Sequence, residues 1–427
     1  MTFPIAAKKS VLISGGSIAG PATAFWLNKY GFKTTIVERW HELRPGGQSV
    51  DVNDYGMEAI QKMNLGKALK DRFTGEKGTT FTDKNNKAYM QLPIGYSGTQ
   101  ETEILRGDFA DMLYQETKDE TEWIFGDYIT SVNEQEAAGM VEVEFNSGKK
   151  EVYDYLIIAE GARSWGRKAA SLDQYVEYKP IGCYVAYFSI PFEESTPFRD
   201  QWHIVALPGR RCIYYRPDFK ANTQRAGIMF FSNESKGYEK QSPEKQKAKI
   251  AEIFADGGEN ADRMIKYLDQ SDDLYFEYLG QVHASKWSSD SGRVHLVGDA
   301  AWCGTPMIGM GCSLSIAGAY ILAGEMAKHI DDPKLAAKGY EENWRPTVLE
   351  AQKLPPGIPH IMFQESEWGV KVFLNIMSVV GFIFGSRLVR AVGPIIEGIW
   401  KRLFPSLSAN KLPVYDQYII QDETVRK

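Results

Sequence analysis

Two stretches far apart in the chain share one design, and together they restrict the fold more than any other feature. Near the start the chain reads Val11-Leu12-Ile13-Ser14-Gly15-Gly16-Ser17-Ile18-Ala19-Gly20. Far downstream it reads Arg293-Val294-His295-Leu296-Val297-Gly298-Asp299-Ala300, then Pro306-Met307-Ile308-Gly309-Met310-Gly311. Each is an apolar strand running into a small-residue turn that opens a helix. One such turn suits half of a dinucleotide, because the free amides and dipole of a helix N-terminus favour phosphate. Two of them, separated by most of the chain, imply that both ends of one long cofactor are gripped by a single folded unit.

The first stretch is a βαβ unit of the dinucleotide-binding kind. Val11 to Ser14 is the strand, and Gly20-Pro21-Ala22 opens a helix that Gly31 stops near Tyr30. Pro21 sits where a missing N–H costs nothing. Lys33 to Glu38 is the next strand. Gly15, Ser17, Ile18 and Ala19 form the turn whose backbone amides would meet a pyrophosphate, with Ser17 standing where the fingerprint has its second glycine. Glu38 follows Gly15 by 23 residues, near the ~20 expected of a ribose-binding acid. The plainer alternatives are a tight turn without a ligand and an ordinary strand-end acid.

The rest of the composition sets bounds. At 427 residues the chain holds about two or three domains. A net charge of −6 gives no general pull toward nucleic acid or anionic membrane. Cys183, Cys212, Cys303 and Cys312 form no C-x-x-C pair, which points to a reduced, cytoplasmic setting and away from structural zinc. The start of the chain does not read as a secretory leader. The one long apolar run, Val372 to Gly385, falls short of the ~20 residues that span a bilayer. The six histidines have no ligand spacing, and no G-x-S-x-G, H-E-x-x-H or P-loop occurs, so neither a metal nor a catalytic side-chain constellation is expected. That absence suits an enzyme whose cofactor carries the chemistry.

A third stretch completes a pattern. Glu151 to Ala159 reads as a further strand of the same sheet, after a hairpin that turns at Asn146-Ser147-Gly148, and is followed by Glu160-Gly161-Ala162-Arg163-Ser164. Asp299, at the end of its strand, is placed where ligands bind in such sheets, or else caps the next helix. Taken in order, the glycine turn with Glu38, Glu160-Gly161-x-Arg163-Ser164, and Gly298-Asp299 with Pro306-x-x-Gly309-x-Gly311 resemble group A flavin-dependent monooxygenases. Gly46 to Asp51 and Glu103 to Asp108 look most like the branch of tetracycline-inactivating monooxygenases.

The resemblance implies an α/β chain with a glutathione-reductase-like FAD-binding Rossmann domain, an inserted mixed-sheet substrate domain and C-terminal helices. The FAD-binding domain would comprise 1–174 and 286–355, the substrate sheet 175–285 and the helical region 356–427. It implies FAD, with NADPH or NADH as a transient co-substrate, and hydroxylation of an electron-rich aromatic or polyketide-like molecule by O₂ through a flavin C4a-hydroperoxide. Glu38 would hold the adenosine ribose, Arg39 and the Ile129 backbone would lie by the adenine, and Arg106 would reach the pyrophosphate and ribityl chain. Asp299 would bind the ribityl chain, Gln48 would flank the flavin ring, and Pro306, Gly309 and Gly311 would line it, with Met307 on the substrate side. Four positions depart from the family pattern: Glu160 where aspartate is usual, Trp302 where histidine is common, Met310 for a polar residue, and Ser313 for asparagine. A halogenase or oxidase on the same fold is a rival, although the halogenase motif W-x-W-x-I-P is absent; a non-catalytic carrier is another.

The substrate region reads as strands Gly182–Ile190, His203–Leu207, Arg211–Arg216 and Ala226–Phe231, with a helix from Pro243 to about Ala255. Alternation puts Cys183, Val185 and Tyr187 on one face. By resemblance His203, Tyr214 and Arg225 would contact substrate, and Tyr187 is a further substrate candidate on its strand face; as bare sequence the tyrosines equally suit half-buried sheet positions, and His203 and Arg225 the surface. Pro333 to Glu350 reads as an amphipathic helix. Ile358 to Phe404 reads as one or two helices broken near Gly381–Gly385 and Gly393-Pro394, suited to core packing, to closing the substrate site, or to shallow membrane contact. A monomer or homodimer is expected.

Overall fold

The computed structural model describes residues 8–44, 47–94, 102–135, 137–218, 222–354, 357, 360–385 and 411–420. Its first layer is a five-stranded parallel sheet in the order Val294–Leu296, Tyr155–Ile158, Ser10–Ser14, Lys33–Glu38 and Thr121–Phe125. Val11, Leu12 and Ile13 are wholly buried at its centre, as expected of a parallel strand covered on both faces. Helices Ala19–Lys29 and Gly311–Lys328 pack together beside this sheet. Gly318 lets Trp302 and Trp344 approach, and Gly324 lets Tyr415 approach, to where a Cβ would clash. The segment 411–420 thereby returns to the helices beside the parallel sheet, and the Tyr415 hydroxyl donates to Glu325 at 2.6 Å.

The expected strand from Glu151 to Ala159 is two strands. Lys150–Tyr153 closes a separate antiparallel sheet with Met140–Phe145 and Ile129–Gln135, while Tyr155–Ile158 joins the parallel sheet. Asp154 makes the break, because its carboxylate accepts from the Ser10 amide and the Lys9 ammonium at 2.9 and 3.1 Å.

The second layer is a seven-stranded sheet in the order Tyr275–Ala284, Val176–Pro191, Thr223–Phe231, Arg211–Asp218, Trp202–Leu207, Gly78–Thr82 and Ala88–Pro93. Its last two strands come from before residue 174, so this sheet is not confined to 175–285. Tyr184, Ala186, Phe188, Ile213, Tyr215 and Ile228 face helices Pro243–Phe254 and Glu259–Gln270. Cys183, Val185, Tyr187, Cys212 and Tyr214 point the other way, as alternation required.

Helix Pro333–Ala351 begins at Asp332, whose side chain accepts from the Lys334 and Leu335 amides. A C-terminal helix, Glu367–Gly385, lays Val370, Phe373 and Leu374 against Phe81, Met90 and Leu92 of the sheet edge. It runs through Gly381, where the missing Cβ leaves room for the Met90 side chain, and is described as far as Gly385. Its outer face carries exposed Trp368, Ile376, Val379 and Phe382. The expected break at Gly393-Pro394 lies outside the described residues.

Candidate functional site

A cavity of about 1420 Å³ runs from the edge of the parallel sheet to the inner face of the seven-stranded sheet. That exceeds the ~300–1,000 Å³ of a site for one small molecule. Gly15, Ser17, Ile18, Ala19, Glu38, Arg39, Gln48, Arg106, Asp299, Pro306, Met307, Gly309, Gly311, Tyr187, Tyr214 and Arg225 all line it.

The nucleotide end is built by close backbone approach. Gly15 has φ +111, and a Cβ there would lie 2.5 Å from the Ala159 carbonyl oxygen. Gly20 presses so closely that its Cβ would lie 1.9 Å from the Gly15 carbonyl oxygen. Glu38 accepts from the amides of Gly16 at 2.8 Å and Trp40 at 3.1 Å, which fixes the acid at the mouth of the turn. Glu160 lines the cavity, but its carboxylate is occupied by the chain itself. It accepts from the Ser14 hydroxyl, the Ser164 hydroxyl and the Gly166 amide, locking the end of one strand to the next helix. Ile129 is fully buried away from the cavity, and Tyr128 takes its place in the lining.

The middle of the cavity is held by a two-residue ladder. Ser49–Val50 pairs antiparallel with Ile104–Leu105, and the Arg106 amide donates to the Gln48 carbonyl at 3.0 Å. Asp299 opens a short helix behind Gly298, so it is not the N-cap. Its carboxyl is pushed up by burial, against the opposing pull of Arg106. Thr305, at φ +75, accepts from the Met307 amide and turns the chain into the Gly311 helix. The N-termini of helices Ala19–Lys29 and Gly311–Lys328 both border the cavity. Two helix N-termini, an acid at the end of the second strand and a glycine cradle that a Cβ would fill together fit a dinucleotide such as FAD.

At the far end the lining is aromatic and apolar: Tyr187, Trp202, Ile204, Tyr214, Met229 and Met362. Gly227 makes room for the Tyr214 ring, where its Cβ would come within 2.1 Å. Burial pushes the Tyr187 phenol up to about 12 and Tyr214 well above its ordinary value, so both are neutral at pH 7. His203 is not part of the site. Trp202 and Ile204 face the cavity, so alternation turns His203 to the helix side, where it bonds Thr82 at 2.8 Å and burial lowers it to about 4. Arg225 reaches the lining but is paired with Asp218 and Asp273. Sequence reasoning missed Trp202, Ile204, Arg216 and Met362. Strand alternation could have given the first three with the correct register, whereas Met362 arrives from a segment that carries no motif.

The FAD binding domain family matches residues 8–348. The chain belongs to that family, among its flavin-dependent monooxygenases. It is 32% identical to the FAD-dependent monooxygenase asL4 of Sarocladium schorii over 87% of this chain and 92% of that one. It is 34% identical to the monooxygenase CTB7 of Cercospora beticola, over 90% and 97% of the two chains. The structure matches that of tetracycline destructase Tet(55) with a TM-score of 0.78 at 27% identity, covering 96% of this chain and 99% of the other. FAD is thus the cofactor of this fold, and the chain is an oxidoreductase. Among the described residues no helix is long and apolar enough to cross a membrane, and no cluster has the makings of a metal site.

Proposed function

We propose that this monooxygenase takes reducing equivalents from NADPH or NADH and hydroxylates an electron-rich aromatic or polyketide-like molecule. The observation that carries this reading is the continuity of the cavity, with a dinucleotide cradle at one end and an aromatic-apolar face at the other. Bound FAD supplies electron transfer and O₂ activation. The chain's own residues do the rest. The amides of Ser17, Ile18 and Ala19 and the Gly311 helix hold phosphate and ring oxygens, Glu38 takes the ribose hydroxyls, and Asp299 the ribityl chain. Tyr187, Tyr214, Trp202 and Met307 orient a flat substrate by apolar contact. Met362, ahead of the C-terminal helix, helps keep water from the reacting face. Tyr187 and Tyr214, both neutral, can donate or accept hydrogen bonds without placing a charge beside the substrate.

The test is turnover. Purified, FAD-loaded protein is screened with aromatic polyketides for accelerated NADPH or NADH oxidation, and products are weighed by mass spectrometry. A product heavier by one oxygen atom is expected. Oxidation of NAD(P)H that yields only hydrogen peroxide with every compound would overturn the hydroxylation.

A further inference from the structure

Where the two layers meet, three carboxylates crowd one guanidinium. Arg216, on the cavity face of its strand, is bracketed by Glu76, which accepts from Nε at 2.8 Å and from Nη2 at 3.1 Å, and by Glu103, 2.8 Å from Nη2. Both glutamates are essentially without exposure, and Asp51 adds a third negative charge nearby. The Trp202 ring lies 4.6 Å from the guanidinium carbon. The carboxylates come from the segments that position the flavin-side loops: Glu103 immediately precedes the Ile104–Leu105 ladder strand, and Glu76 the strand Gly78–Thr82. Arg216 nevertheless lines the cavity, with Nη1 outside these pairings.

An arrangement of this kind is costly as a purely structural device, since a buried excess of charge is not repaid by its own ion pairs. It makes sense if a ligand uses the guanidinium. Burial works against the charge on Arg216, but Glu103 and Glu76 outweigh it and hold it firmly protonated. We propose that Arg216 is the specificity residue of the substrate region, receiving an acidic enol or phenol oxygen of the substrate, and that Glu76 and Glu103 position it and set the net charge it presents. This rests on the monooxygenase reading and narrows its substrate to molecules with an ionisable oxygen on a conjugated ring system.

Glu103 is the variable member. Burial pushes its carboxyl up to about 8, with Arg216 pulling the other way and Glu76 and Asp51 adding to the rise. With Glu103 protonated, Arg216 offsets Glu76, the cluster carries one negative charge fewer, and an anionic oxygen approaching the guanidinium meets the least repulsion. Once Glu103 ionises, the cluster gains a further negative charge and the same oxygen is repelled more strongly. Glu103 is a positioning residue, acting through Arg216.

The experiment is calorimetric binding to the oxidised, FAD-loaded protein with no NAD(P)H, so it reads recognition even if turnover fails. The probes are a hydroxynaphthoquinone whose enol is acidic enough to be ionised throughout the range, and its methyl ether. At pH 7 the enol should bind roughly tenfold more tightly than the ether, the scale of one charge-assisted hydrogen bond. Its affinity should fall several-fold between pH 7 and 9, while that of the ether should not. Glu103→Gln should abolish that fall and keep the preference, and Arg216→Gln should erase the preference while FAD and ether still bind. Equal affinity of the wild-type protein for the two probes, or an undiminished pH-dependent fall in Glu103→Gln, would overturn the proposal. Both are decided without relying on the folding of Arg216→Gln.

Discussion

The backbone amide of Asn53 donates to the Ser313 hydroxyl at 2.9 Å, across 260 residues of sequence. This bond fastens the loop that carries Gln48 and Asp51 to the first turn of the Gly311 helix. Ser313 also packs against Gly56, where a Cβ would fall 2.5 Å from the Ser313 Cα. Ser313 is therefore a tie between two segments that line the cavity.

Ser313→Ala removes that acceptor and leaves a part-buried amide unpaired, at a cost of about 1 kcal/mol. The expected result is a lower thermal midpoint and faster FAD loss on dilution, both read by flavin fluorescence. An unchanged midpoint would mean the loop is held by other contacts.

Glu38 is held by two amides before any ligand arrives. Glu38→Ala should both free the turn and remove the ribose acceptor. Titration of the apoprotein with FAD should show affinity weakened by about tenfold or more, the worth of one or two hydrogen bonds to a charged group. Glu38→Gln keeps one acceptor and should lose less. Equal affinity in all three proteins would remove Glu38 from the nucleotide site.

The cofactor half was legible because its signals are local. An apolar strand, a glycine turn and a helix start within twenty residues at Val11 and again at Val294, and Glu38 sits at a spacing that counting reveals. The substrate half was less so, because its sheet is covered on both faces. Val205 and Leu207 are as apolar as Ile204 and Ala206, so hydrophobicity alone could not tell which face His203 shares. Arg216, Glu76 and Glu103 meet from three segments, and no spacing announces them. Strands Gly78–Thr82 and Ala88–Pro93 join by a parallel pairing with Trp202–Leu207, a long-range contact that local pattern does not encode.

Trp302 stands where the resemblance in sequence leads one to expect a histidine, and the structure buries it in the core beside the parallel sheet. Its ring centroid lies 4.4 Å from that of Trp287 and 6.0 Å from that of Tyr340. Restoring the histidine would empty part of that packing and bury an imidazole, costing about 2–4 kcal/mol. Trp302→His should therefore lower thermal stability without tightening FAD binding. A gain in FAD affinity would show that this position reaches the cofactor.

The buried proton on Glu103 has a consequence for stability as well as for binding. Its folded value of about 8 lies above the ~4.3 of an exposed glutamate. The folded protein therefore holds this proton over a window in which the unfolded chain has released it. Stability from this group is fully present below pH 4.3, falls as pH rises toward 8 and levels off beyond it, with a slope of at most about 1.4 kcal/mol per pH unit. Glutamine imitates the protonated form and cannot ionise, so Glu103→Gln should lack this contribution. His203 and His295, both lowered to about 4 by burial, are common to the two proteins and cancel in the difference between them. Thermal midpoints measured from pH 5 to 8.5 should therefore show Glu103→Gln gaining on the wild type with each step, most steeply below pH 8. A difference that stays constant across the range would place the proton elsewhere in the cluster, and Glu76→Gln measured in the same way would locate it.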